Sequence, residues 1–244
     1  MPEVENIKPY EKRGSKREQV EQMFDAIAPA YDFMNHAMTL GIDRLWRRRA
    51  VNRLKEVRPE FILDLATGTG DFAIKLCRTL HPRRVLGIDL SQGMLDVATE
   101  KAKRHGLHNV ITFKQADCLD LPVDDNSADA VTIAFGVRNF EDIARGYREM
   151  YRVLKPGGRL SVLELSVPTN SVIRWFYNLY TLHIIPFFGA MKSGDKEAYR
   201  YLPRSIAAVP QGHDMLALMR AAGFGSCRFS RMTFGTCTLY EGTK

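Results

Sequence analysis

Chemistry is first offered by Asp64-Leu-Ala-Thr-Gly-Thr-Gly-Asp71, in which Gly68 and Gly70 stand one residue apart between two carboxylates. Glycines so spaced allow a tight turn and let a ligand come close to the backbone, here between an apolar run, Phe61 to Leu65, and a helix expected from about Asp71. A second apolar run, Val85-Leu-Gly-Ile-Asp, ends in Asp89, about where a ribose-binding carboxylate follows such a loop in nucleotide sites. Ala116-Asp117-Cys118 supplies a third acidic station after the third run. A ligand that carries a nucleoside is the inference.

Two classes of ligand fit that spacing, because Gly68-x-Gly70-x-x-Ala73 also satisfies the relaxed dinucleotide pattern. Charge separates them. Asp64 and Asp71 would repel a pyrophosphate at the turn but suit the ammonium and sulfonium charges of S-adenosylmethionine, and Asp117 is placed to meet an adenine amino group. Asp71 and Asp117 each have a structural reading too, in the first turn of a helix and in a cap or Asx-turn.

The elements that must position these residues follow from the hydrophobic pattern. Short apolar runs at Phe61, Val85, Val110, Ala130 and Arg159 alternate with helical segments from about Asp71, Ser91 and Glu141, which predicts βαβ units and a mostly parallel sheet covered on both faces. Gly157-Gly158 is expected to carry the chain from the third helix into the next strand. Upstream, Val20, Met23, Phe24 and Ile27 fall at helical spacing behind Ser15 and Glu18, a capping-box start, and a basic helix is expected from Ile42 to Val57. Beyond Pro168 the alternation gives way to an aromatic-rich insert, Val172 to Gly189, expected to be helical, before a helix near His213 to Ala222 and a final strand pair. One α/β, Rossmann-like domain over 1–244 is the result: N-terminal helices (1–58), a cofactor-binding core (59–167), a substrate-side insert (168–210) and a C-terminal helix with two strands (211–244).

With 244 residues, 45% of them hydrophobic, the chain is long enough for one sizeable core. Its net charge of +7 implies attraction to something anionic: nucleic acid, a phospholipid surface or an acidic substrate. Cys77, Cys118, Cys227 and Cys237 form no C-x-x-C pair, so neither a zinc site nor a disulfide framework is expected, and no metal. Met1 to Lys8 has no apolar stretch behind a basic one, so a cytoplasmic chain is expected.

Longer blocks make the chain recognisable. The glycine loop, Gly87-Ile-Asp-Leu-Ser-Gln-Gly-Met-Leu and Glu149-Met-Tyr-Arg-Val-Leu-Lys-Pro-Gly-Gly-Arg-Leu resemble class I methyltransferases. Met23-Phe-Asp-Ala-Ile-Ala-Pro-Ala-Tyr-Asp-Phe-Met-Asn, Ala134-Phe-Gly-Val-Arg-Asn-Phe and Ala198-Tyr-Arg-Tyr-Leu-Pro-Arg-Ser-Ile resemble the menaquinone/ubiquinone-biosynthesis C-methyltransferases, at the start, middle and end of the chain. The resemblance implies a seven-stranded methyltransferase fold and S-adenosylmethionine contacted at Thr67, Asp89, Asp117 and Cys118; from the loop itself, Asp64, Gly68 and Gly70 are expected to bind the cofactor as well. It also implies transfer to a prenylated quinol: demethylmenaquinol, or the methoxy-polyprenyl benzoquinol of ubiquinone synthesis, or both. Ala134 stands where such proteins often carry serine, so no hydroxyl contact is assigned there.

Ala134 to Phe140 is the segment expected to present acceptor chemistry. It has neither the Asn/Asp-Pro-Pro-Tyr run of amine methyltransferases nor a Pro-Cys nucleophile, which argues against amine and cytosine acceptors. A quinol carbon needs no enzyme nucleophile, because ionising a ring hydroxyl makes the neighbouring carbon electron-rich; positioning and support of the phenolate do the rest. Arg138 is the first candidate for that support and Asn139 for a hydrogen bond beside it, against a surface role for Arg138 as partner of Glu141 or Asp142. His183, in the insert, is the candidate base. Tyr31 and Asp32 suggest a lid, and the insert suits a polyprenyl chain or peripheral contact with the inner face of the cytoplasmic membrane, or else a cap on the core. Trp46-Arg-Arg-Arg49 is the feature that would favour RNA, but no RNA-binding appendage is evident and no nucleic-acid partner is expected. A non-catalytic nucleotide-binding protein is the other alternative. A homo-oligomer is compatible with the sequence.

Overall fold

The computed structural model describes residues 2–10, 13–181 and 196–244. Strands β1 (Phe61–Leu65), β2 (Arg84–Asp89), β3 (Ile111–Gln115), β4 (Ala128–Ala134), β5 (Leu154–Leu165), β6 (Gly225–Met232) and β7 (Cys237–Thr243) form one seven-stranded sheet in the order β3-β2-β1-β4-β5-β7-β6. The first five are mutually parallel, and β7 runs antiparallel to both its neighbours. β1, β2 and β4 are buried almost throughout, as strands covered on both faces must be.

Helices α1 (Lys16–Ile27), α2 (Tyr31–Met38) and α3 (Asp43–Leu54) precede the sheet; α4 (Asp71–Leu80), α5 (Gln92–Arg104) and α6 (Ile143–Val153) are its crossovers. After β5 come α7 (Ser171–Leu179), α8 (Lys196–Ala208) and α9 (His213–Ala221). α3 and α4 bury Trp46, Val51, Phe72 and Leu76 against one face of the sheet. α6 and α9 bury Tyr147, Met150, Met215 and Met219 against the other. A third cluster, with Met23, Ile27, Met34, Met94 and Tyr201, joins α1, α2, α5 and α8.

Strand order reverses between β1 and β4, and in an open parallel sheet that is where a crevice forms beyond the carboxyl ends. Both chemistry-bearing segments leave the sheet there, the glycine loop from β1 and residues 135–140 from β4. One expectation changes: β5 begins at Leu154, before the glycine pair, because Leu154 pairs with Ala128 across a register shift and Gly158 fits only without a Cβ, whose position lies 2.8 Å from the Lys155 carbonyl. The insert starts as a helix, as expected: α7, capped by the Asn170 side chain on the Val172 and Ile173 amides.

Candidate active site

The glycine loop is fastened to the next strand by Asp89. Its Oδ2 accepts the Gly68 amide at 2.8 Å and its Oδ1 the Ser91 amide at 3.0 Å, so the carboxylate joins the turn to the N-terminus of α5. Burial raises the Asp89 pKa against these hydrogen bonds, which favour the ionised form. Gly70 adopts φ +80°, and a Cβ there would stand 3.0 Å from the Ala98 side chain, which lets the loop close against α5.

Asp64 and Thr67 lie behind the loop. The Asp64 carboxyl is fully buried, accepts the hydroxyls of Thr67 (2.7 Å) and Thr132 (2.6 Å), and is pushed by burial to a pKa of about 6. Asp71 lies in the first turn of α4, where it pairs with Lys101 and stands 3.5 Å from His36 Nε2. In front of the loop is a cavity of about 690 Å³ lined by Gly68, Asp89, Asp117, Cys118, Phe135 and Arg17, among others. Burial pushes the Cys118 thiol far up, so it is a neutral wall.

The segment after β4 is tightly constrained. Phe135 takes φ +64°, and Gly136 has no room for a side chain because a Cβ would meet that of Ala66 at 2.5 Å. The Val137–Asn139 turn then carries Arg138 inward, where it is only 6% exposed. Its Nη1 donates to Glu164 Oε1 at 2.7 Å and to the Phe135 carbonyl, while its Nε has no partner. The pairing is with β5, not with the surface carboxylates Glu141 or Asp142. Asn139 Oδ1 accepts the Tyr201 hydroxyl at 3.1 Å.

Arg138 faces a second cavity of about 960 Å³, whose wall is mostly apolar and aromatic: Trp46, Phe135, Tyr177, Tyr180 and Leu202. Phe135 and Tyr31 line both cavities and so mark where they meet. His183 lies outside the described residues.

The N-terminal helices are bonded down over this junction. Lys16, almost fully buried, donates to the carbonyls of Val4 (2.7 Å), Arg138 (2.9 Å) and Phe140 (3.1 Å), and burial lowers its pKa to about 8. Asp25 accepts from Ser91 Oγ (2.6 Å) and the Gly93 amide (3.0 Å). Asp32 takes the Thr69 hydroxyl and Lys101 Nζ, which ties α2 to the glycine loop. Sequence reasoning missed Lys16, Asp25 and Tyr201. It also read Arg47 as part of a basic surface cluster, whereas Arg47 is buried, 9% exposed, and lines the second cavity.

A model of the ubiE/COQ5 methyltransferase family matches residues 12–244. A demethylmenaquinone methyltransferase of Bacteroides fragilis is 52% identical over 240 residues, covering 98% of each chain. A ubiquinone/menaquinone biosynthesis C-methyltransferase of Geotalea daltonii is 41% identical over 230 residues, 94% of this chain and 97% of the relative. Among solved structures, a SAM-dependent methyltransferase from Thermotoga maritima superposes with a TM-score of 0.62 at 19% identity, covering 91% of this chain and 99% of that one. At that identity the likeness is one of fold.

Proposed function

The chain belongs to the ubiE/COQ5 methyltransferase family and is an S-adenosylmethionine-dependent methyltransferase, and from that premise we propose that it converts demethylmenaquinol to menaquinol by methylating a ring carbon. The observation that carries the acceptor assignment is the meeting of two unlike cavities at Phe135 and Tyr31, one bearing carboxylates and the other apolar with a buried arginine. The first fits S-adenosylmethionine: Asp89, Asp117 and Glu141 suit its positive charge, and Asp89 keeps lone pairs for ribose hydroxyls beyond its two backbone bonds. Bound there, S-adenosylmethionine supplies an electrophilic methyl group.

The chain's own part is to prepare the acceptor. Arg138 is fixed by Glu164 in a dry setting where its charge is little screened, so it favours an ionised ring hydroxyl and raises electron density at the adjacent carbon. Asn139, its oxygen taken by Tyr201, keeps its amide N–H groups to donate. His183 is the candidate for receiving the proton that the ring carbon must lose, on residue type alone. The benzoquinol of ubiquinone synthesis is a second acceptor to test, given that the Geotalea daltonii relative is named for both quinones.

A polyprenyl acceptor resides in lipid, and no helix among the described residues is long and apolar enough to cross a membrane. We read the contact as peripheral, at the inner face of the cytoplasmic membrane. Trp175, Phe176 and Leu179 are exposed on α7, whose Tyr177 lines the acceptor cavity. The experiment is methyl transfer by purified protein to a short-tailed demethylmenaquinol and to its oxidised quinone under anaerobic conditions. Product from the quinol alone is expected; equal turnover of the quinone refutes the phenolate mechanism, and methylation at oxygen refutes the reaction class.

A further inference from the structure

Two arginines, one from the N-terminal helices and one from the segment after β4, line the acceptor cavity with the same defect. Arg47 on α3 is 9% exposed and Arg138 is 6% exposed, and the Nε of each is buried without a hydrogen-bond partner. They flank one residue: the Arg47 guanidinium lies 5.4 Å from the centre of the Phe135 ring, and Arg138 donates to the Phe135 carbonyl. A buried donor on a charged group is costly to leave unpaired, and native folds rarely do so without a ligand, water or strain to account for it. Both arginines also line the same cavity, so a ligand with two acceptors would be met there by two cationic side chains.

Arg47 is also held ready. Its Nη1 pairs with Asp43, which is almost completely buried and accepts in addition from His36 Nδ1 (3.1 Å) and Thr39 Oγ1 (2.9 Å). Burial alone would raise the Asp43 pKa, but Arg47, His36 and Thr39 together hold it below the ordinary carboxylate range. Asp43 therefore stays ionised, offsets the Arg47 charge and fixes the guanidinium on one side.

We propose that Arg47 is a second donor to the acceptor ring, its guanidinium meeting the ring oxygen opposite the one that Arg138 supports, with Asp43 as the positioning residue behind it. The inference rests on the quinol reading above and deepens it: the site takes a ring with two opposed oxygens and is not built for a simple phenol. Arg138 acts at the hydroxyl next to the reacting carbon. Arg47 reads the other one, so it contributes chiefly to recognition and ring placement.

The test compares a short-tailed demethylmenaquinol with the matched naphthol that keeps the hydroxyl beside the reacting carbon and lacks the opposite one. Binding of each is measured anaerobically by calorimetry, and kcat/KM by methyl transfer, for the parent, for Arg47→Gln, and for Asp43→Asn with Arg47→Gln, which removes both buried charges together. The parent should bind the quinol about tenfold more tightly than the naphthol, the scale of one hydrogen bond to a charged donor. Either folded variant should lose most of that ratio while its affinity for S-adenosylmethionine stays within about twofold of the parent. The parent comparison needs no variant: if both rings bind alike, the proposal falls. It falls equally if a folded variant keeps the parent's ratio. A parent that neither binds nor methylates the quinol would instead overturn the acceptor assignment, and this inference with it.

Discussion

Arg17 on α1 pairs with Asp117 over the cofactor cavity, Nε to Oδ2 at 3.0 Å, while its own amide donates to Glu141. If Asp117 receives the adenine amino group, Arg17 competes for its carboxylate, and the arginine's charge opposes that of S-adenosylmethionine. Arg17→Gln should therefore speed cofactor association in stopped-flow measurements and tighten binding by no more than about fivefold, since a half-exposed ion pair is worth about 0–1 kcal/mol. An association rate identical to the parent's at low salt would show that the pair does not gate the cavity.

Asp89 accepts a backbone N–H on each of its two oxygens. Asp89→Ala should weaken S-adenosylmethionine binding by about 1–3 kcal/mol, the scale of charge-assisted hydrogen bonds to ribose. Asn at this position is not conservative, because its amide nitrogen would face the Gly68 or the Ser91 N–H, donor against donor. Calorimetry should give similar losses for both variants; an Asn variant that binds like the parent would contradict the double-acceptor role.

The reach of the sequence is well illustrated by these residues. Asp89 was legible because everything that defines it is local: a strand end, a glycine loop one crossover earlier and the start of a helix. Arg138 was found from its segment, but its partner was not, since Glu164 lies on β5 and only the pairing of Ala134 with Leu163 brings the two strand ends together. Arg47 was hidden by the neighbouring exposed arginines, although a signal was present: Asp43, Trp46, Arg47, Ala50, Val51 and Leu54 fall at i, i+3, i+4, i+7, i+8 and i+11, one buried helix face. A charged pair at i, i+4 within such a stripe marks buried polar structure.

Asp64 predicts a pH dependence of stability. Its folded pKa, raised by burial to about 6, exceeds its unfolded value, so the folded state binds the extra proton and ionisation of this group penalises folding. The penalty is absent below about pH 4, grows between about pH 4 and 6 and is constant above, as the linkage relation requires. Asp64→Asn, whose amide the Thr67 and Thr132 hydroxyls can satisfy by reorienting, should thus be more stable than the parent at pH 7, by about 3 kcal/mol at most, with the difference vanishing toward pH 4. Urea titrations of both proteins at four pH values check this; a difference that does not change with pH would mean that Asp64 titrates normally.

The last prediction concerns how a lipid-borne ring reaches the acceptor cavity. Phe234 is 79% exposed at the tip of a turn and adopts φ +57°, a left-handed conformation that costs a non-glycine residue about 1–2 kcal/mol. Nothing the side chain touches within the fold offsets much of that, since most of its surface faces solvent. Its turn packs against the residues leading into α7, Gly235 lying against Pro168, and Phe234 is exposed as Trp175 and Phe176 are. Thr233 and Thr236, on either side of the tip, line the acceptor cavity, and the exposed Arg44, Arg48 and Arg49 of α3 add positive charge nearby. Charge should then bring the protein to anionic vesicles in a salt-sensitive way, and the aromatic border should supply a residual, salt-resistant part. Changing Phe234, Trp175 and Phe176 together to Ser should abolish that residual in vesicle sedimentation at high salt, while turnover of a short-tailed soluble quinol is largely retained. A triple variant that sediments like the parent at both salt concentrations removes the aromatic border from the docking surface, and one that loses activity on the soluble quinol as well identifies it as a structural cap.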